Sequence, residues 1–409
     1  MTKKILIPGA GYGQEQVIKK AKSLGLYVII VSPEGDYPGL KYADKHYTED
    51  VRNKEKVLQI AREEKIQGIV SDQNDIPVET IGYVVDHLKL TGNSYETSQL
   101  FSRKHLMRER CSQIGVPTIK HEAVNTMESA FASADQIGYP LICKPIDNQS
   151  SKGISKVDFP DELEKAFYAA MSSSFSKKVI LEQFIEGDEF CVEGLAINKE
   201  FKNLLMLERT YFQNVDVFVP SMVTSPVSLP LQKQEELLAL NYKICTEFGM
   251  ENGLTHAEYL LNKKDNRFYL VEVAARGGGV FISSHLISHA CGFDTSEMLV
   301  RLALGEKIDL GDYHYAEKAV RYICFYIENG TIKNIKGLDK IKAMRNVLLF
   351  YDQNLNIGDT FNGLKDKSSR LGPILVGGNT LNDILQTTKE IKKYFSISTN
   401  EGLNKLIWD

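Results

Sequence analysis

Two glutamates on neighbouring predicted strands form the clearest chemical feature of the sequence. One ends the run His256-Ala257-Glu258, and the other, Glu272, opens the run Glu-Val-Ala-Ala-Arg-Gly-Gly-Gly. Carboxylates that point inward from adjacent strands provide hard oxygen ligands of the kind that magnesium uses when it bridges phosphate groups. A buried pair of acids without a cation is costly, so the pattern favours a metal site over a purely structural pair.

An arginine and three glycines follow the second glutamate. The guanidinium of Arg276 can hold a carboxylate or an acyl phosphate in a bidentate grip. Gly277, Gly278 and Gly279 leave the backbone bare for the close approach of a substrate. A helix predicted to begin near Val280 would offer its N-terminus to an anion. These residues predict a substrate site beside the metal.

A lysine near the end of a predicted strand precedes a loop of small polar residues. The lysine is Lys144, and the loop, residues 147–155, contains Ser150, Ser151 and Gly153. Lysine provides a mobile point charge, and the backbone N–H groups of a small-residue loop can close over phosphates. Together they indicate a polyphosphate site, although a lysine at a strand end, taken alone, is more often a surface side chain.

An acidic hairpin-like segment runs from Glu182 to Phe190. Two carboxylates separated by apolar residues and a glycine turn can flank an adenosine, because backbone groups and packed side chains hold the base. Glu189 can then accept hydrogen bonds from the ribose hydroxyls. An ordinary acidic hairpin has the same composition, so this segment carries weight only together with the others.

A glycine-rich turn near the N-terminus raises an alternative function. Gly9, Gly11 and Gly13 follow a predicted strand and open a predicted helix, as in dinucleotide-binding folds. The spacing is GxGxG rather than GxGxxG, and Ser32-Pro33-Glu34 is an equivocal ribose ligand after the second strand. NAD binding is therefore the weaker interpretation, and a tight strand-to-helix turn is the stronger one.

The predicted elements that carry these residues divide the chain into three parts. Strands and helices alternate over the first hundred residues, starting with Lys4–Ile7 and Gln14–Leu24, which predicts a parallel, doubly wound α/β sheet. Strand-like runs then crowd around one long amphipathic helix, Gln232–Phe248, which indicates an α+β body with antiparallel hairpins. The last hundred residues are predicted to form a smaller β-rich unit with one helix, Leu381–Tyr394.

The bulk composition excludes several classes of protein. Of the 409 residues 43% are hydrophobic and 25% charged, the net charge is -4, and no basic tract is typical of a nucleic-acid binder. The six cysteines form no CxxC pair, so zinc spacing is absent and free thiols in a reducing compartment are expected. Neither a signal peptide nor a membrane span is predicted. We therefore expect a soluble, cytoplasmic protein that binds neither nucleic acid nor membrane.

Four segments, taken in their order along the chain, resemble the ATP-grasp superfamily. They are the predicted helix of Lys104, the strand and loop of Lys144, the acidic segment from Glu182 to Phe190, and the two strands of Glu258 and Glu272. The first segment is the predicted helix of Lys104, which leads to Gly115-Val116-Pro117. The resemblance covers essentially the whole chain and implies an ATP-grasp fold. Residues 1–100 would form a Rossmann-like, doubly wound pre-ATP-grasp domain, residues 101–305 a two-lobed body with the nucleotide between the lobes, and residues 306–409 a C-terminal β-rich domain. The glycine-rich run that follows Glu272, Glu-Val-Ala-Ala-Arg-Gly-Gly-Gly, looks like that of the amino-acid ligase and carbamoyl-phosphate-synthetase-like group.

The resemblance implies nucleotide-binding roles for nine residues. Lys104 and Lys144 match the two lysines that bind phosphate, and Ser150, Ser151 and Gly153 match residues of the lid loop. Glu182, Phe184 and Ile185 match the adenine-binding hinge, and Glu189 matches the carboxylate that binds the ribose.

Glu258 and Glu272 match the magnesium ligands, and Arg276 matches the arginine that binds the transferred phosphoryl group or the substrate carboxylate. The common ending of the family is Glu-x-Asn-x-Arg, but Ala274 stands here in place of the asparagine, so one oxygen ligand is missing. Three histidines lie nearby in the sequence: His256, His285 and His289. Either they replace the missing ligand or they only pack against neighbouring side chains, and we favour the packing interpretation.

The implied reaction is a two-step ligation. A small-molecule carboxylate attacks the γ-phosphate of ATP, and an amine intercepts the acyl phosphate to form an amide, with release of ADP and phosphate. ATP and magnesium, with manganese as an alternative, are the implied cofactors, and a homodimer is compatible with the family. A bicarbonate-activating carboxylase is the alternative on the same scaffold. An NAD-dependent oxidoreductase and a nucleotide-sensing binding protein are the alternatives of other classes.

Overall fold

The N-terminal elements form a parallel α/β sheet. A computed structural model of the chain describes residues 2–147, 153–213, 215, 219–365, 369–402 and 406–408. The strands pair in the order β3-β2-β1-β4, all parallel, as the alternating pattern predicts. Ile5 and Ile7 face one apolar core and Leu6 the other, so both faces of the sheet are covered. The elements are β1 (Lys4–Pro8), α1 (Tyr12–Ser23), β2 (Tyr27–Ser32), β3 (Lys45–Thr48), α2 (Lys54–Glu64), β4 (Gly68–Ile69) and α3 (Val78–Leu88).

A small antiparallel sheet follows, with the strand order β5-β8-β6-β7. Two helices pack on it through small side chains, Ala130 and Ala134 from one and Ala170 from the other, against Leu141 and Leu181 of the strands. The elements of this lobe and of the segment that leads to it are α4 (Tyr95–Leu100), α5 (Lys104–Gln113), β5 (His121–Val124), α6 (Met127–Ile137), β6 (Leu141–Pro145), β7 (Ser155–Val157), α7 (Leu163–Ser173) and β8 (Val179–Gln183).

Most of the remaining strands build a large antiparallel sheet. The elements from residue 187 to residue 303 are β9 (Gly187–Ile197), β10 (Glu200–Tyr211), β11 (Pro220–Ser225), α8 (Leu231–Glu247), β12 (Gly253–Asn262), β13 (Phe268–Ala274), a π-helical segment (Ile282–Ile287), α9 (Ser288–Cys291) and α10 (Thr295–Ala303). Those after it are β14 (Ala319–Ile327), β15 (Asn329–Lys336), α11 (Leu338–Lys342), β16 (Val347–Phe350), β17 (Thr360–Asn362), β18 (Leu371–Gly378), α12 (Leu381–Tyr394), β19 (Ser396–Thr399) and β20 (Leu406–Ile407).

The large sheet runs continuously across residue 305. Its order is β13-β12-β9-β10-β11-β14-β18-β16, with β20 added beside β14, while β17, β15 and β19 pair separately. The pairing of β11 with β14 therefore joins the C-terminal strands to the strands that carry Glu258 and Glu272. The mixture of a parallel α/β sheet with antiparallel α+β sheets agrees with the predicted fold class.

Two predictions about the chain as a whole can be compared with the structure. All six cysteines are free thiols, as the absence of CxxC pairs predicts. Over the described ranges, no helix is both long enough and apolar enough to cross a membrane.

The C-terminal core is centred on an aromatic cluster. Phe325 is fully buried, and its ring centroid lies 5.3 Å from that of Phe395 and 5.0 Å from that of Trp408. We expect Phe325→Ala to lower the free energy of unfolding by about 3–5 kcal/mol, because the truncation leaves a cavity. Urea unfolding followed by circular dichroism measures the change. Phe159→Ala, which removes a ring that is 64% exposed, should change it by less than about 1 kcal/mol; similar losses for both variants would contradict the assignment of this core.

Candidate functional site

The two predicted metal ligands face each other across a pair of antiparallel strands. Glu258 on β12 lies directly opposite Glu272 on β13, and His256 lies opposite Ala274. Residues two apart in a strand share a face, so all four side chains point to the same side of the sheet. The intervening residues, Ala257 and Val273, point to the other side, into an apolar core, which fixes which face carries the acids.

Cations from two other elements contact these carboxylates. Lys104 Nζ, from α5, lies 2.8 Å from Glu272 Oε1. Arg209 Nη2, from β10, lies 2.6 Å from Glu258 Oε1, and the same guanidinium contacts Glu189, which also accepts a hydrogen bond from Tyr211. Burial opposes the charge on Lys104, but Glu272 outweighs this effect and raises the lysine pKa above its usual value.

The donor set at this site fits magnesium. The described residues contain no group of three or more His, Cys, Asp or Glu side chains that could hold a metal by themselves. Magnesium usually takes only one or two carboxylates from the protein and completes its octahedral shell with substrate phosphates and water. The facing carboxylates of Glu258 and Glu272 supply that number of hard oxygen ligands.

The predicted phosphate lysine of β6 belongs to a buried triad of charges. Lys144 Nζ lies 2.6 Å from Glu182 Oε2, and Arg108 Nη2 lies 3.1 Å from Glu182 Oε1. Burial alone would raise the pKa of Glu182, but the two cations hold it at about 2. Burial, together with the neighbouring Arg108 and Lys104, lowers the pKa of Lys144. Two cations therefore share one carboxylate, which leaves excess positive charge for an anionic ligand.

The predicted adenine-binding hinge lies where β8 ends. The backbone N–H of Phe184 donates to Pro140 O at 3.2 Å, Ile185 is buried, and the amino group of Lys156 lies 4.7 Å from the centroid of the Phe184 ring. Gly153 has a φ of +72°, which favours glycine. Ser150 and Ser151, with residues 148–152 of the predicted lid, lie outside the described residues.

The predicted substrate arginine holds a carboxylate, but one that the protein itself provides. Arg276 Nε lies 2.6 Å from Asp75 Oδ1, and Arg276 Nη2 lies 3.0 Å from Asp75 Oδ2. Burial opposes ionisation of Asp75, but the guanidinium outweighs it and lowers the pKa of this carboxyl. Because Asp75 lies in the loop before α3, the bidentate pair joins the N-terminal sheet to the end of β13.

The glycine segment after Arg276 is held by two further carboxylates. The N–H of Gly277 donates to Asp72 Oδ1 at 3.2 Å, and the N–H of Gly278 donates to Glu193 Oε2 at 3.0 Å. A Cβ on Gly278 would lie 2.5 Å from Glu193 Oε1, so the close approach requires glycine. Gly279 has no such close neighbour among the described residues.

The helix predicted to start at Val280 begins later. Val280 and Phe281 have φ values of +57° and +61°, in the left-handed region, and helical structure starts at Ile282 as a π-helix.

Asp72, which accepts the hydrogen bond from Gly277 N, is buried, and burial raises the pKa of its carboxyl group to about 6.

The N-terminal glycine turn is closed by a side chain of its own helix. Gln14 Oε1 accepts from Gly11 N at 3.1 Å, and Gln14 Nε2 donates to Asp72 O at 2.5 Å. The Gly11 N–H that a dinucleotide phosphate could use is therefore already bonded. This geometry agrees with the interpretation of a tight structural turn.

Several charged residues of the site were not found from the sequence. Arg108 lies one helical turn after Lys104, and this i,i+4 spacing of cations is a signal that could have indicated it. Arg209, Asp72, Asp75 and Glu193 had no local signal, because each reaches the site through sheet pairing or domain packing.

His256 does more than pack. Its Nδ1 lies 2.5 Å from Glu193 Oε1, and its Nε2 lies 3.2 Å from Glu258 Oε1. Burial would lower the pKa of this imidazole, but the carboxylates of Glu193 and Glu258 raise it above its usual value. His285 and His289 lie after the glycine segment, where burial lowers the pKa of each.

Comparison with known proteins gives one family and several relatives. Residues 103–310, just over half of the chain, match the family model "Carbamoyl-phosphate synthase L chain, ATP binding domain". A carbamoyl phosphate synthase large chain from Clostridium botulinum is 24% identical over 348 residues, which are 79% of this chain and 32% of that relative. The chain thus spans well under half the length of that relative.

Two solved structures share the fold over nearly the whole chain. An L-amino acid ligase from Bacillus licheniformis has a TM-score of 0.83 and 21% identity, and the match covers 98% of this chain and 99% of that one. A biotin carboxylase domain dimer of 2-oxoglutarate carboxylase from Hydrogenobacter thermophilus, in complex with MgADP, ADP and bicarbonate, has a TM-score of 0.73 and 19% identity. That match covers 98% and 91% of the two chains.

The depressed pKa of Glu182 predicts a pH-dependent stability. Its ordinary pKa is 4.5 and its value in the folded protein is about 2, so the ionised group stabilises the fold above about pH 4.5, and this contribution disappears as the pH falls toward 2. Glu182→Gln should lower the free energy of unfolding by roughly 3 kcal/mol at pH 7 and by progressively less below pH 4.5. Urea titrations between pH 7 and pH 3 measure the difference. Glu186→Gln, at an exposed position in the connection between β8 and β9, is the matched control; a loss independent of pH would contradict the ion-pair role.

Proposed function

The chain belongs to the carbamoyl-phosphate synthase L chain ATP-binding family of the ATP-grasp superfamily, and we propose that it is an ATP-dependent carboxylate–amine ligase. In the proposed reaction a carboxylate attacks the γ-phosphate of ATP, and an amine then displaces phosphate from the acyl phosphate to form an amide. The products are the amide, ADP and phosphate. The proposed domains are a pre-ATP-grasp domain (residues 1–100), an ATP-grasp body (residues 101–305) and a C-terminal β-rich domain (residues 306–409).

The observation that carries the proposal is the facing pair Glu258 and Glu272 with Arg276 directly beyond it. An acid pair on one face of a sheet, next to a guanidinium that already grips a carboxylate in two places, matches what a phosphoryl-transfer site for a carboxylate needs. When bound, magnesium would neutralise charge on the phosphates, with Glu258 and Glu272 as its protein ligands.

The lysines of two elements are proposed to bind the phosphates. Lys104 and Lys144 are both buried, and their amino groups contact carboxylates that belong to the same site. A preorganised cation in a site of low dielectric stabilises developing phosphate charge more strongly than it would in water. The lid residues Ser150, Ser151 and Gly153, the hinge residues Glu182, Phe184 and Ile185, and the carboxylate of Glu189 complete the proposed nucleotide site.

The substrate carboxylate is proposed to bind Arg276 and the glycines 277–279. The bidentate contact of Arg276 with Asp75 demonstrates that the guanidinium has the geometry to grip a planar carboxylate, and a substrate carboxylate would displace Asp75 or bind beside it. A bicarbonate-activating carboxylase remains the second candidate, since bicarbonate is also a planar anion and occurs in one structural relative. The proposal also includes an amine as the second substrate and manganese as an alternative metal. It further includes a homodimer and a cytoplasmic location.

The metal role of Glu272 predicts a specific loss of activity. Glu272→Gln should reduce ligation by at least about 100-fold, because it removes one charged magnesium ligand and the partner of Lys104. Phosphate release from ATP is measured over a panel of amino acids, with bicarbonate in a separate well and with mass spectrometry of the product. Glu200→Gln, at an exposed position of β10, is the control. Undiminished ligation without a raised magnesium requirement would contradict the metal site, and NADH turnover without ATP would favour the oxidoreductase.

The role of Lys144 predicts weaker nucleotide binding. Lys144→Ala should weaken ATP binding by at least roughly tenfold, or about 1.4 kcal/mol, because it removes a buried cation and leaves the carboxylate of Glu182 facing the phosphates. Isothermal titration with a non-hydrolysable ATP analogue measures the change. Lys165→Ala, on the exposed side of α7, tests whether loss of any lysine has this effect. Equal affinities for a folded Lys144→Ala variant and the parent protein would refute the assignment.

A further inference from the structure

A buried arginine on β10, Arg209, lies on the same face of the large sheet as the proposed metal ligands. Cys191 pairs with Leu207 on one side and with Glu258 on the other, and Arg209 comes two residues after Leu207. Its side chain is only 7% exposed, and its guanidinium contacts both Glu258 and Glu189. Carboxylates from two other strands therefore hold this guanidinium in the middle of the proposed site.

One donor of this guanidinium has no acceptor. Arg209 Nε is buried and makes no hydrogen bond to any other group in the described part of the chain, whereas Nε of Arg276 donates to Asp75 Oδ1 at 2.6 Å. A buried donor without a partner costs about 1–3 kcal/mol, and native proteins contain few such groups. An oxygen atom of a bound ligand that accepts from this N–H would remove that cost.

The contact with Glu258 places the guanidinium next to the phosphates of the proposed reaction. Arg209 Nη2 lies 2.6 Å from Glu258 Oε1. Magnesium binds carboxylate oxygen at about 2.0–2.1 Å, so any magnesium bound to Glu258 lies within about 7 Å of this nitrogen. The same ion takes substrate phosphates as further ligands, and Arg209 would therefore lie beside the phosphate groups that share the ion.

We propose that Arg209 is a further catalytic residue, which donates a hydrogen bond from Nε to the γ-phosphoryl group of ATP, and that Glu189 and Glu258 position it. As an oxygen of the substrate carboxylate bonds to the γ-phosphorus, the bond from this phosphorus to the leaving oxygen of ADP breaks. Arg209 stabilises the charge on the transferred group and gives up no proton. The inference rests on the phosphoryl transfer of the proposed function but not on the identity of either substrate.

The test compares a non-hydrolysable ATP analogue with ADP, because only the analogue carries a γ-phosphoryl group. Isothermal titration of the full-length chain, at magnesium concentrations that saturate each variant, measures both affinities. Arg209→Ala should bind the analogue at least about tenfold more weakly than the parent protein and ADP less than about threefold more weakly. Arg301→Ala is the matched control, since Arg301 also contacts two carboxylates, those of Glu297 and Glu306, but is 44% exposed, and it should change neither affinity.

The outcomes separate this inference from the function on which it rests. If the parent protein binds neither nucleotide with magnesium, both proposals fall. If it binds both, but Arg209→Ala weakens ADP as much as the analogue, Arg209 is only structural and the ligase proposal is unaffected. Arg209→Lys decides the matter if Arg209→Ala does not fold, because it keeps a positive charge near Glu189 and Glu258 but loses the Nε donor. We expect the same selective loss in Arg209→Lys, and an unchanged preference for the analogue would overturn the inference.

Discussion

Charged side chains that leave water need partners of opposite charge, and this constraint organises the centre of the molecule. Five acids and five basic groups are held in pairs or triads there: Glu182 with Lys144 and Arg108, Glu272 with Lys104, Glu258 and Glu189 with Arg209, and Asp75 with Arg276. Breaking such a pair by removing one member is far more destabilising than its small net contribution to stability suggests. The pairs therefore constrain how the sheets can be arranged.

The pairs also join different parts of the chain. Lys104 and Arg108 come from one helix, α5, yet they contact carboxylates on two different sheets. Arg276 at the end of the large sheet contacts Asp75 in the loop before α3, 201 residues away in the chain. Among the described residues, these pairs therefore tie the N-terminal unit and the small sheet to the large sheet.

The proposed phosphate-binding site has its cations already in place, paired with internal carboxylates. Lys144 and Arg108 share one carboxylate, so the positive charge around Glu182 exceeds the negative charge. Fixed dipoles and charges that need little reorganisation are the usual source of stabilisation in phosphoryl transfer. The contact of Arg276 with Asp75 has a different consequence, because a substrate carboxylate would compete with, or bind beside, an internal one.

Most of the strands and helices, the order of the chemical segments, and the face of β12 and β13 that carries acids follow from the amino-acid sequence alone. Ala257 and Val273 are apolar and alternate with Glu258 and Glu272, and this period of two is a local property. Local spacing also placed Lys104 on a helix and Lys144 on a strand. Three features depend on the folded chain: Glu258 lies in register with Glu272, Arg209, Asp72 and Asp75 reach the site, and His256 lies against Glu193. Those contacts depend on strand register and on packing between distant segments, which the spacing of residues within one segment does not encode.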